Sequence, residues 1–132
     1  MRDAAGDLLM DADCAVPVPL HPWRRLRRGF NQARDLAHRL ELPVVDALWR
    51  VHATRQQMGL TAAARQRNMR GAMRPSPLLS QAVVSFCIED RVVVLVDDVR
   101  TTGATLDACA AVLAEMGARE VRAVTAAFAR RA

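Results

Sequence analysis

Val92-Val-Val-Leu-Val-Asp-Asp-Val-Arg-Thr-Thr-Gly-Ala-Thr-Leu106 decides the fold. Five apolar residues, four of them β-branched, run into two adjacent carboxylates. Such a run suits a strand buried on both faces. A short turn rich in Thr and containing Gly103 follows, and then Leu106, Cys109, Ala110, Leu113 and Met116 recur at helical spacing up to Gly117, a natural residue to end a helix. Val121–Phe128 reads as a further strand. Strand, helix and strand joined by short connections imply a right-handed parallel crossover and an α/β sheet.

In such a sheet, ligands sit outside the carboxyl ends of the strands. Asp97 and Asp98 fall there, and alternation along a strand predicts that both are displayed at the rim. The turn Arg100–Thr105 presents backbone N–H groups and Thr hydroxyls at a helix N-terminus, where unpaired amides and the helix dipole favour a phosphate. Gly103 lets the backbone approach a ligand closely. The plainer reading is that two acids end a strand and threonines cap a helix. A P-loop nucleoside triphosphatase shares the strand and acid but needs a lysine, and this chain has none. A receiver domain needs a further Asp and a Lys well downstream, whereas 34 residues follow Asp98 with no Asp after Asp107.

Upstream, Ala15–Leu20 reads as a short strand that Pro17 and Pro19 demote to an edge or a strand end. From Asn31, a plausible N-cap, Ala33, Leu36, Ala37 and Leu40 mark a helix to about Glu41. Pro43-Val-Val suggests another strand. Residues 52–75 hold no persistent period, apart from a helical turn or two at Ala62–Met69, and read as a mobile excursion bounded by Pro75-Ser-Pro. The apolar run Ala82–Ile88 reads as a strand.

The chain has 132 residues, consistent with one domain: an acidic tail at 1–13 and a domain at 14–132. No run is long and apolar enough for a membrane span, and the acidic opening argues against a signal peptide. Cys14, Cys87 and Cys109 are widely spaced and odd in number, so neither zinc nor a disulfide framework is indicated, and a cytoplasmic setting fits. The net charge of +5 is uneven. Residues 1–13 carry one Arg and four Asp, a balance of −3, and residues 76–132 carry six Arg against seven acids, a balance of −1. Residues 14–75 carry twelve Arg against three acids, a balance of +9, so the middle is the face for phosphates, pyrophosphate or nucleic acid.

With the lysine-dependent alternatives removed, Val93–Thr105 resembles the signature of the type I phosphoribosyltransferases, which bind 5-phosphoribosyl-1-pyrophosphate (PRPP). That resemblance implies a mostly parallel sheet flanked by helices. It gives Asp97 and Asp98 the ribose hydroxyls and Thr101, Thr102, Gly103, Ala104 and Thr105 the 5′-phosphate, with Mg²⁺ accompanying the ligand. Arg100 stands where the signature usually carries an apolar residue, either adding a phosphate contact or facing solvent. Val16-Pro-Val-Pro-Leu-His21, Arg28-Gly-Phe-Asn-Gln32, Gln57-x-Gly-Leu60 and Arg65-x-x-Asn68-x-x-Gly71-Ala72 narrow the resemblance to the competence protein F (ComF) group, phosphoribosyltransferase-like proteins tied to DNA uptake. Members typically begin with a cysteine-rich zinc-binding segment and a helix, so the chain looks like a shortened member.

By the same resemblance, His21–Gly29 takes the place of the pyrophosphate loop. Arg28 and Asn31 are the preferred contacts there; His21 serves equally as a structural hydrogen-bonder, and Trp23 reads as packing in preference to a base-stacking platform. Arg55–Asn68 corresponds to the loop that closes over PRPP, with Arg65 and Asn68 on pyrophosphate or a partner. A solvated basic surface is the plain alternative for both loops. The expected function is phosphoribosyl transfer to an acceptor that no segment identifies. The rival is a nucleic-acid-binding accessory protein without transferase activity, which would take single-stranded DNA. Competence-machinery proteins and further copies of the chain are the remaining expected partners.

Overall fold

The computed structural model describes residues 9–19, 32–51, 71–97, 103–125 and 129–131. Around β4 (Val92–Asp97) the chain builds a four-stranded sheet. β1 (Cys14–Pro17) pairs with one side of β4 and β5 (Glu120–Thr125) with the other, both parallel, and β6 (Ala129–Arg131) adds to β5 antiparallel. All six β4 residues are buried because both faces of the sheet are covered. Val93 and Leu95 pack with Leu106, Cys109 and Leu113 of α3 (Gly103–Glu115), while Val94 and Val96 pack with Ala37 of α1 (Gln32–Arg39) and with Leu40. Each valine so enclosed contributes about 1.5–3 kcal/mol through removal from water. The parallel sheet between helices is the expected fold.

The prolines of the first strand are placed without cost. Cys14, Val16 and Val18 share one parity, and Val18 donates its N–H to the Val96 carbonyl at 2.9 Å. Ala15 has the opposite parity: its N–H goes outward to the Pro43 carbonyl, and its carbonyl accepts from Val45. Pro17 shares the parity of Ala15, so the donor it lacks would have pointed away from β4. The strand suggested at Pro43-Val-Val is reduced to one parallel bridge between Val44 and Ala15.

Three further expectations are corrected. Ala82–Ile88 is helical: α2 (Gln81–Val83) leads into a wider turn over Val84–Ile88, closed by Glu89 N–H to the Val84 carbonyl at 2.9 Å. The Ser80 hydroxyl caps this segment by accepting from Val83 N–H. Val84, Cys87 and Ile88 turn inward at helical spacing while Val83 and Phe86 stay exposed, a division that a strand cannot make. The second correction concerns the last strand: β5 stops at Thr125, and the chain returns as β6. Finally, part of the excursion at 52–75 is ordered: β3 (Met73–Pro75) pairs antiparallel with β2 (Leu48–Arg50), a hairpin-like ribbon that the sequence did not announce. Residues 52–70 of that excursion, including Ala62–Met69, lie outside the described residues. Among the described residues no helix is long and apolar enough to cross a membrane.

At the end of α3, Ala118 N–H reaches the Leu113 carbonyl and Gly117 N–H reaches the Ala114 carbonyl, the paired bonds of a Schellman stop. Gly117 has φ +101, and a Cβ on it would lie 3.1 Å from Glu89 Cγ. Gly117→Ala is therefore expected to destabilise the protein by about 1–2 kcal/mol, read as a lower urea midpoint with an unchanged m-value. An unchanged midpoint would show that this turn carries no such constraint.

Candidate functional site

Side-chain alternation carries Asp97 to the same face as Val93 and Leu95, under α3 rather than α1. It is the last residue of β4 and is only 4% exposed. The expectation that both acids are displayed at the rim is therefore corrected for Asp97, which α3 helps to cover; Asp98 lies outside the described residues. Thr125, at the end of β5, is the register partner of Asp97. Thr105 lies in the first turn of α3. The buried polar or charged residues among those described are Asp97, Thr105, Arg122 and Thr125. Three of the four thus gather at the carboxyl end of the sheet, where an α/β fold holds its ligands. The fourth, Arg122, ties the sheet to the segment before β1, donating to the Met10 carbonyl and pairing with Glu120.

Gly103 opens α3, and a Cβ built on it meets nothing within 4 Å among the described residues. The helix N-terminus is thus approachable by an anion. Ala104 is half-buried behind it. One turn further on, the Cys109 thiol is pushed up to about 12 from 9.0, first by burial and then by the Asp97 charge, with Arg50 acting in the opposite sense. Asp97 and Arg50 therefore each lie within electrostatic reach of Cys109. Arg50 comes from β2, on the inward parity of the ribbon that Leu48 and Met73 also share.

The structure brings Asp97, Gly103, Ala104 and Thr105 of the expected site to one end of the sheet. Arg100, Thr101, Thr102, His21, Arg28, Asn31, Arg65 and Asn68 lie outside the described residues, as does Trp23. Thr125, Cys109 and Arg50 were not anticipated. Thr125 could have been found by aligning the two strand ends, since it is the lone hydroxyl in an apolar run. Nothing local marks Arg50, whose place depends on the distant pairing of β2 with β3.

The model of the phosphoribosyl transferase domain matches residues 26–132, which includes every expected site residue except His21. The chain belongs to that family. It is 36% identical over 115 residues to competence protein F of Haemophilus influenzae, an alignment covering 83% of this chain and 48% of that protein. It is likewise 36% identical over 115 residues to the DNA utilization protein YhgH of Escherichia coli (strain K12), covering 83% and 47%. Competence protein ComFC of Bacillus subtilis (strain 168) is 34% identical over 105 residues, covering 77% and 38%. These matches bear out the resemblance to the ComF group. The chain spans about half the length of the curated relatives it matches first. No solved structure matches.

Cys14, like Cys109, is pushed up to about 12 from 9.0, by burial first, then by Cys87 and Asp13. Both thiols stay protonated in the fold at pH values where the unfolded chain has lost its protons. Their contribution to stability is complete below pH 9.0 and is lost as pH rises toward about 12. Urea unfolding across that window should show a falling free energy, with a shallower fall in Cys109→Ala. An equal slope in variant and parent would remove the buried thiol as its cause.

Proposed function

We propose that the carboxyl end of the sheet binds PRPP, with Asp97 and Asp98 on the ribose hydroxyls and Arg100, Thr101, Thr102, Gly103, Ala104 and Thr105 around the 5′-phosphate. The observation that carries this reading is the convergence of buried Asp97, Thr105 and Thr125 beside the open N-terminus of α3. The family match supports the ligand class. A carboxylate and hydroxyls are hard oxygen donors and suit Mg²⁺. Among the described residues no three His, Cys, Asp or Glu side chains cluster as a metal cage. Asp97 and the neighbouring hydroxyls would suit a Mg²⁺ ion bound with the ligand, which would supply charge neutralisation to the pyrophosphate.

The protein's own part is electrostatic and positional. Asp97, held under α3, fixes the ribose in one orientation, and the amides opening α3 fix the phosphate. The arginines of the His21–Gly29 loop, Arg28 among them and with Asn31 beside it, are assigned to the pyrophosphate, where guanidinium forks match its oxygens. Arg65 and Asn68 are assigned to closure over it. In transfer, the bond from ribose C1 to pyrophosphate oxygen breaks with its electron pair on pyrophosphate, and a nitrogen acceptor donates the pair that replaces it.

The relatives' names, competence protein and DNA utilization protein, support a role in DNA uptake. A second reading, that the chain also binds single-stranded DNA, is favoured by the +9 balance of residues 14–75.

Calorimetry with PRPP and Mg²⁺ tests the first reading. Saturable binding is expected, weakened at least about tenfold in Asp97→Asn through loss of a charge-assisted hydrogen bond. Binding that is indifferent to Asp97→Asn and Asp98→Asn together would remove the ligand from this site.

A further inference from the structure

The ribbon formed by β2 and β3 has two unlike faces. Leu48 and Met73 are buried, 6% and 0% exposed, and plug it into the core. Alternation then forces Trp49 and Arg74 to the other side. They are register partners, directly opposite one another. Val51 N–H donates to the Ala72 carbonyl on one side of the pair, and Ser76 N–H donates to the Ala47 carbonyl on the other. This spacing makes Trp49 and Arg74 a hydrogen-bonded pair, with Cα atoms about 5.5 Å apart. Trp49 is 43% exposed, and Arg74 is exposed and forms no ion pair among the described residues. Holding an indole open to water beside a guanidinium leaves a flat apolar face and a positive charge that pairs with no acid among the described residues.

We propose that this outward face is a stacking platform for the unpaired bases of single-stranded nucleic acid. It rests on the second reading above and gives that reading a location. One face of the indole accepts a base, because every base has a π-face, and the guanidinium of Arg74 lies within reach of the flanking phosphate. The segment 14–75, which contains both residues, carries the chain's excess of positive charge, which favours a polyanion over an apolar protein surface. Arg50, between Trp49 and the excursion, is on the opposite face with Leu48 and Met73. A strand lying on Trp49 is therefore separated from Arg50 by the thickness of the ribbon.

The test is fluorescence anisotropy of the full chain with a labelled oligothymidylate of about 15 nucleotides across a salt series. The expected result is salt-dependent binding, weakened about tenfold in Trp49→Ala and largely restored in Trp49→Phe, which keeps a stacking ring. Arg74→Gln should lower the salt slope by about 1. Unchanged thermal unfolding is expected in all three variants, since both side chains are on the surface. Absence of binding by the parent chain would overturn both the nucleic-acid reading and the platform. Parent-like binding by Trp49→Ala would overturn the platform alone and leave the reading standing. An equal loss with a duplex of the same length would also overturn the platform, because paired bases offer no free face.

Discussion

The structure depends on the enclosure of β4 from both sides. A strand with one solvent face can tolerate charge at every second position, but β4 has no such face, so its first five residues are apolar and charge waits until the strand runs out. The first charged group then falls at the carboxyl end, at Asp97, and parity assigns its side chain to the α3 side. Parallel register with β5 sets Thr125 beside it, and the start of α3 supplies Thr105. This buried polar group is in this sense a by-product of burying Val93 and Leu95. Moving β4 by one residue would exchange its two faces and send the acid to α1 instead.

How much of this was legible follows from the range of the interactions involved. β4, α3 and the stop at Gly117 are written locally, in a run of β-branched residues, a helical stripe and one residue able to take a positive φ. The parallel sheet followed from them. The segment 82–88 was misread because its apolar content was counted without its period: Val84, Cys87 and Ile88 are inward at helical intervals, and the Ser80 cap precedes them. β2 and β3 were missed because the segments that pair them are far apart in sequence and no turn signal joins them. The burial of Asp97 was missed for a related reason. A residue's position at a strand end is local, whereas the cover that α3 provides is tertiary.

The two faces of the β2–β3 ribbon meet unlike surroundings. Inward, Arg50 shares the parity of the buried Leu48 and Met73 and lies within electrostatic reach of the Cys109 thiol. Outward, Trp49 and Arg74 meet solvent, where attraction for a polyanion is screened by salt and depends on many weak contacts. Alternation alone separates these two environments, so one short ribbon carries both.

The prolines of β1 bear on how copies of the chain can meet. An edge strand with free N–H and C=O groups is a template for another strand, and sheets grow into aggregates by that route. Here the outward bonds of Ala15 are occupied by Pro43 and Val45, and the next outward position, Pro17, has no hydrogen to offer. This border of the sheet is sealed against strand addition, so any assembly of copies across it must rest on side chains and not on a continued ladder.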